Sequence, residues 1–465
     1  MSDVQKKSAL SQVSASARFL AADYLLPISA TPIADGAIVV DETKIVAVGT
    51  KTELSEKFPQ IEVENFGEAA IMPGLVNCHS HLEITAMRGF LDDAEADFYT
   101  WLIKLTKTRG EILTEADVKA AALAGALEGA RAGITCFGDI GRFGVAGFEA
   151  LKTNGLRGVV FQETEFSPTD KTADEDFEKL TDKFLELRAN ETALVKPGLS
   201  PHAPYTVSRK LFERITDYAL AENVKISVHA AESVQETDLM ETGAGFFADI
   251  YKNSNLEWNA PGISSIEYLS QIGVLRAKPL LAHCVKVSGA DIELIAESDS
   301  RIAHCPKSNA KFGHGAAPLE RFLSRKIGVG FGSDSVASNN SCDILEEARF
   351  ATLIARSAAN RNRFLAAAEI IEAATLGGAR ALGLDHEIGT LEAGKQADVI
   401  VISLADIAQQ PVHDVYSALL FASNARDVRM TLVAGAEIYR DGRALKIDEA
   451  EVKAKLREIL AKMRE

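Results

Sequence analysis

Apolar positions along this 465-residue chain fall into short β-type runs near both ends and a long alternating pattern between them. From residue 17 to residue 70 the runs 19–26, 37–40, 44–48 and 61–66 are separated by turns, and no helical period is sustained, which predicts strands. So few residues cannot enclose a core unaided. Runs 397–402, 428–433 and 437–440 have the same character and carry Gly-bearing turns. The two chain ends are therefore expected to join in one small β-sandwich domain, residues 16–69 plus 386–465. Within it, Val452, Leu456, Ile459 and Leu460 recur at helical spacing among charges and predict a terminal amphipathic helix over 449–465.

The middle of the chain reads differently. Segments 70–77, 134–138, 158–162, 196–200, 225–228, 279–282, 301–303 and 328–332 are β-type, and each is followed by a longer, mostly helical stretch. The strongest helical periods cover 115–132, 208–221, 288–298 and 344–358. Strand and helix alternating eight times predict an α/β fold, a (β/α)8 TIM barrel over residues 70–385, with catalytic groups at the carboxyl ends of its strands. The longest intervals, 89–116 and 233–270, carry Phe98, Trp101, Phe246, Phe247, Tyr251 and Trp258. They are expected to be lid or substrate-binding loops.

Candidate chemistry sits where those strands end. His79 and His81 close the first run, and side chains two apart on a strand share a face, so both imidazoles can reach one cation. A His-x-His pair alone also arises by chance at a surface or turn. Four more strand ends carry ligand-type or acid/base residues: His202 and Tyr205, His229 and Glu232, His283, and Asp334. Such repetition points to a metal-centred site.

Composition narrows the class. With 47% hydrophobic and 25% charged residues the chain can bury a large core, and its net charge of −16 argues against nucleic-acid or anionic-membrane partners. The five cysteines are scattered and never spaced Cys-x-x-Cys, so they read as reduced core residues. Residues 1–15 are polar, lack the apolar core of a secretory signal and are expected to form a disordered leader, which gives a cytoplasmic protein. Homo-oligomerisation is left open.

The motifs together carry a resemblance. Pro73-Gly74-Leu75-Val76-Asn77 leads into His79-x-His81; Ser200-Pro201-His202-Ala203-Pro204-Tyr205-Thr206, His229-x-x-Glu232 and Leu281-Ala282-His283-Cys284-Val285 follow. Gly332-Ser333-Asp334 then runs into Ala337-Ser338-Asn339-Asn340-Ser341, and Gly394-x-x-Ala397-Asp398 completes the set. In this order they resemble the amidohydrolase superfamily, and in it the chlorohydrolases and aminohydrolases that include methylthioadenosine/S-adenosylhomocysteine, guanine and aminodeoxyfutalosine deaminases. The resemblance implies one divalent metal ion, Zn2+ with Fe2+ as the alternative, held by His79, His81, His229 and Asp334. It implies that Glu232 protonates a ring nitrogen, that His283 orients the attacking water, and that Asp334 takes its proton. It gives His202 a substrate contact, with a loop-capping histidine as the alternative, and Tyr205, Trp101, Arg109, Glu111, His314 and Ser338 are further candidates for substrate contact. Glu83 is left between a substrate contact and a structural salt bridge.

One departure concerns substrate choice. The acid that grips ribose hydroxyls in the methylthioadenosine deaminases falls on Gly110 here, while Arg109 and Glu111 flank it, so a one-residue shift would restore the carboxylate. The insertion 246–265 is similar to the aminodeoxyfutalosine deaminases instead. The implied function is metal-dependent hydrolytic deamination of an aminated purine-type base or nucleoside such as aminodeoxyfutalosine, methylthioadenosine or S-adenosylhomocysteine. The alternatives are a chlorohydrolase-like release of another leaving group from an N-heterocycle and a non-catalytic scaffold of the same fold.

Overall fold

The computed structural model describes residues 13–358 and 363–464. Residues 1–12 of the expected leader lie outside these, whereas Ser14 is already tied down: its backbone N–H donates to the Asp41 carboxylate at 3.1 Å. Among the described residues the strands form one nine-stranded sheet and two four-stranded parallel sheets.

The parallel strands are buried on both faces, which is why they read as unbroken apolar runs. Leu75–Ser80, Ile134–Gly141, Arg157–Glu163 and Val195–Ser200 form one half, and Ser227–Ala230, Leu280–His283, Arg301–His304 and Val329–Phe331 the other. Single parallel bridges join the halves at both seams, Leu199 to Ile226 and Ser80 to Asp334. The eight strands thus run round as a ring with helices outside it, as in a (β/α)8 barrel. Gly330 lies against the ring's filling, where a Cβ would stand 2.2 Å from the Cys78 sulfur. All five cysteines are free and buried.

The two chain ends do share a sheet. Its order runs from Arg443–Ala444 through Ala436–Arg440, Val428–Val433, Val399–Ser403, Ala69–Pro73, Arg18–Leu25 and Ile33–Asp41 to Lys44–Thr50, and the ninth strand, Val63–Asn65, pairs with Arg18–Leu25. It is one continuous sheet whose two halves share a core of Leu20, Ile38, Ile71, Val399, Met430 and Leu432. The expected single strand 70–77 is in fact two. Ala69–Pro73 pairs antiparallel with Val399–Ser403 in this sheet, and only Leu75–Ser80 enters the barrel. The partner changes at Gly74, where Gly74 N–H donates to the Asp398 carbonyl and Leu75 N–H to the Gly133 carbonyl, each at 3.0 Å. A side chain there would collide with Thr135.

The terminal helix, Glu449–Arg464, forms where expected and buries Val452 and Ile459, but its packing differs. It packs on the barrel helix Glu115–Arg131, where Val452 meets Ala124 and Leu127, while Leu460 stays exposed and Met463 is buried instead. Interval 89–116 contains the helix Phe98–Lys107, and 233–270 contains Val234–Thr242, Phe246–Asn253 and Ser265–Gln271. Among the described residues no helix is long and apolar enough to cross a membrane.

Candidate active site

The strand ends converge on one cluster. His81 Nδ1 lies 3.0 Å from the Ile140 carbonyl and His229 Nδ1 lies 3.0 Å from the His202 carbonyl, so in each ring Nδ1 carries the proton and Nε2 keeps its lone pair. Those two Nε2 atoms face each other at 3.3 Å. Asp334 Oδ1 is 3.6 Å from both His79 Nε2 and His81 Nε2. His79 is fully buried with neither ring nitrogen hydrogen-bonded.

Electron-rich atoms gathered in this way repel unless a cation lies among them. Four donors at about 2.0–2.1 Å from a tetrahedral ion stand roughly 3.3 Å apart, close to the separations seen here. The residues present therefore fit a divalent ion, with three imidazoles and one carboxylate suiting Zn2+ or Fe2+.

Surrounding residues fix these donors. Asp139 Oδ1 accepts from Ser80 Oγ at 2.8 Å and from Leu82 N–H at 2.9 Å, clamping the turn on both sides of His81. Asp334 Oδ2 accepts from Ser308 Oγ at 2.6 Å and Ser338 Oγ at 3.1 Å, which leaves Oδ1 aimed at the histidines. Ala231, His283 and Asp334 all adopt positive φ, at 53°, 74° and 55°. Non-glycine residues hold that conformation at a cost of about 1–3 kcal/mol each, here at three strand ends that carry candidate groups.

Glu232 and His283 face each other across the site, with Nε2 to Oε1 at 3.7 Å, and His314 Nε2 is also 3.7 Å from Glu232 Oε1. Burial pushes the Glu232 carboxyl above its ordinary range. His283 moves up although burial pulls it down, because the Glu232 and Asp334 carboxylates and the Asn309 carbonyl at 2.9 Å outweigh that effect. Asp334 lies well below the carboxylate range: burial raises it, but the His79 imidazole beside it and the rest of the histidine cluster lower it more.

A cavity of about 420 Å³ opens above these groups. His202, Tyr205, Trp101 and Arg109 line it, together with His81, His229, Glu232, His283 and Asp334. Four other candidates for substrate contact do not. Glu83 is buried and accepts from Arg109 at 2.9 Å and from Phe143 N–H at 2.9 Å, so it anchors a wall residue and takes the salt-bridge role. Glu111 is exposed, because the wide turn Thr108–Ile112 sends Arg109 inward and Glu111 out; the one-residue shift does not restore a carboxylate to the wall. Ser338 stands behind Asp334, and His314 lies beside Glu232, packed on Phe98 and Phe312.

Sequence reasoning missed three residues. Glu236 Oε2 accepts from the Glu232 backbone N–H at 2.9 Å and its Oε1 from Ala231 N–H at 2.8 Å. The Ser233-x-x-Glu236 capping pattern could have found it. Asn309 holds His283 from the segment after the seventh strand. Glu163, the last residue of the third strand, lines the cavity, and the rule that strand ends build the site would have selected it.

Comparison with known proteins now adds to this geometry. The family model described as "Amidohydrolase family" matches residues 70–438. A 5-methylthioadenosine/S-adenosylhomocysteine deaminase from Thermodesulfovibrio yellowstonii is 31% identical over 438 residues, covering 93% of this chain and 95% of the relative. A 5'-deoxyadenosine deaminase from Methanosarcina mazei is 30% identical, covering 90% of this chain and 91% of the relative. The crystal structure of an adenosine deaminase from Xanthomonas campestris with bound zinc superposes with a TM-score of 0.83 at 29% identity, covering 96% of this chain and 98% of that one.

Proposed function

The chain belongs to the amidohydrolase family, and from that premise we propose that it is a divalent-metal-dependent aminohydrolase removing the 6-amino group of an adenosine-type nucleoside. The observation that carries this reading is the cluster in which His81 meets His229 at 3.3 Å and Asp334 faces both His79 and His81 at 3.6 Å, beneath a cavity that also presents Glu232 and His283. The names of relatives near 30% identity over most of the chain support the substrate class. Five buried, free cysteines support a reducing, cytoplasmic compartment.

A bound divalent ion would supply Lewis acidity and bring the ionisation of water towards about pH 7. The protein's own groups do the rest. Glu232, kept protonated to higher pH by burial, delivers a proton to the ring nitrogen next to the amino-bearing carbon. His283, held by Asn309, orients the water that adds to that carbon. Asp334 accepts one of the water's protons and passes it to the departing amine, and the second returns to Glu232 as the carbonyl forms, so water and the amine become a ring carbonyl and ammonia. Trp101, Phe98 and Phe312 give the ring an apolar wall.

Ammonia release is the test, across adenosine, methylthioadenosine, S-adenosylhomocysteine, 5'-deoxyadenosine, aminodeoxyfutalosine and guanine, using protein of measured metal content. The expected result is release from adenosine-type nucleosides and not from guanine. No release from any of them, with chloride release from a chlorotriazine, would move the assignment to the chlorohydrolases. Protein purified in zinc that holds no stoichiometric metal would favour a scaffold.

A further inference from the structure

One buried acid of the cavity has no part in that chemistry. Glu163 is 6% exposed, and its Oε1 has no hydrogen-bond partner. Leaving a buried carboxylate oxygen without a donor is costly. The groups around it do not relieve it. His202 Nε2 is 4.0 Å away, beyond hydrogen-bond reach, and its Nδ1 is engaged by Thr206 Oγ1 at 2.7 Å. The two guanidiniums of the same wall are committed elsewhere, Arg109 to Glu83 at 2.9 Å and Arg142 to Glu165 at 2.6 Å.

Position narrows what can satisfy this oxygen. It lies within 4.8 Å of ring nitrogens of His202 and His229, one side chain away from the cluster that fits the ion. The group it meets therefore belongs to the substrate's ring or to its immediate substituent. A carboxylate only accepts. On its ring and directly attached sugar, an adenosine-type nucleoside carries N–H donors solely on the 6-amino group, which must sit at the reacting centre, so the remaining donors there are hydroxyls of the sugar.

We propose that Glu163 is a specificity-determining residue that accepts a hydrogen bond from a ribosyl hydroxyl of the substrate. This rests on the adenosine-type reading above and assigns how the sugar is recognised. A hydroxyl donating to a charged acceptor favours the ribosyl substrate by about 10- to 100-fold over an analogue lacking it.

The test compares kcat/KM for the best nucleoside of the panel and for its 2',3'-dideoxy counterpart, for example adenosine and 2',3'-dideoxyadenosine. Wild type, Glu163→Ala and Glu163→Gln are compared, each with its melting temperature. The glutamine variant keeps the shape of the wall should the alanine variant fold poorly. Wild type should prefer the ribosyl compound by about 10- to 100-fold. The alanine variant should lose most of that preference, and the glutamine variant, whose amide oxygen still accepts, a smaller part of it, in each case through a fall in the ribosyl value alone. Equal losses on both compounds, or a wild type without preference, would overturn the role of Glu163 while leaving deamination standing. Wild type inactive on every nucleoside would overturn the deaminase reading and this inference together, without recourse to the variants.

Discussion

His81 and His229 meet nitrogen to nitrogen, Nε2 to Nε2 at 3.3 Å, with each Nδ1 held by a backbone carbonyl. Neither nitrogen can donate to the other, so the contact is repulsive in the protein alone and becomes favourable with a cation shared between them. Chelation should therefore destabilise the fold, and zinc should restore it by about 4 kcal/mol at a free concentration 1,000 times its dissociation constant. Thermal melts with and without chelator, beside elemental analysis, check this. His229→Ala should lose both the stoichiometric metal and the zinc-dependent shift; an unchanged shift in that variant would remove His229 from the site.

Glu232 is buried opposite His283 and held by its own backbone bond to Glu236. Glu232→Gln keeps the shape and the bond but cannot deliver a proton. It is expected to lower kcat about 10²- to 10⁴-fold with metal content and melting temperature retained. Turnover within a few-fold of wild type would rule out the assigned proton transfer.

Much of this was legible because parallel strands buried on both faces leave apolar runs, and several of these runs end in polar residues that turn into the cavity, as at His81, His229 and Asp334. What escaped depends on partners remote in sequence. Residues 69–77 form one apolar stretch, so only the Pro73-Gly74 dipeptide marks where Met72, paired to Ile400, gives way to Leu75, paired to Ile134. Glu83 could face substrate or Arg109, and it stands 26 positions before the guanidinium that decides. The period of Val452 and Ile459 shows that the last helix buries a face without saying that the helix Glu115–Arg131 receives it.

Arg157, in the third barrel strand, joins the barrel to the sheet made from the chain ends. Its Nε and one terminal nitrogen donate to both oxygens of Asp398 at 2.8 and 3.0 Å, and its other terminal nitrogen lies 3.0 Å from Glu387. Asp398 also accepts from Ala434 N–H at 2.8 Å. Removing one member of a buried pair strands the other, so Asp398→Ala is expected to cost about 3–5 kcal/mol. The double variant Arg157→Met/Asp398→Leu should recover all but about 1 kcal/mol, the share of the Ala434 bond. Chemical denaturation reads both, and a double variant no more stable than the single one would contradict the clamp.

Asp117 and Lys462 connect the first long barrel helix to the last helix of the chain, with Nζ to Oδ2 at 2.6 Å. The aspartate is lowered from 3.8 to about 2: burial raises it, but Lys462 and the Thr114 hydroxyl and backbone together outweigh that. A carboxyl depressed on folding stabilises above its unfolded value and loses that contribution as pH falls through the folded one. The half-exposed lysine is screened by solvent, so Lys462→Met should destabilise by about 1 kcal/mol at pH 6. Because the pair vanishes on protonation of Asp117, the deficit should shrink as pH is lowered from about 4 towards 2, the interval bounded by the two values. Melting of wild type and variant across pH 6 to 3 follows the difference. A deficit that stays constant over that range would mean that Lys462 acts through its packed alkyl chain and that charge does not hold the last helix in place.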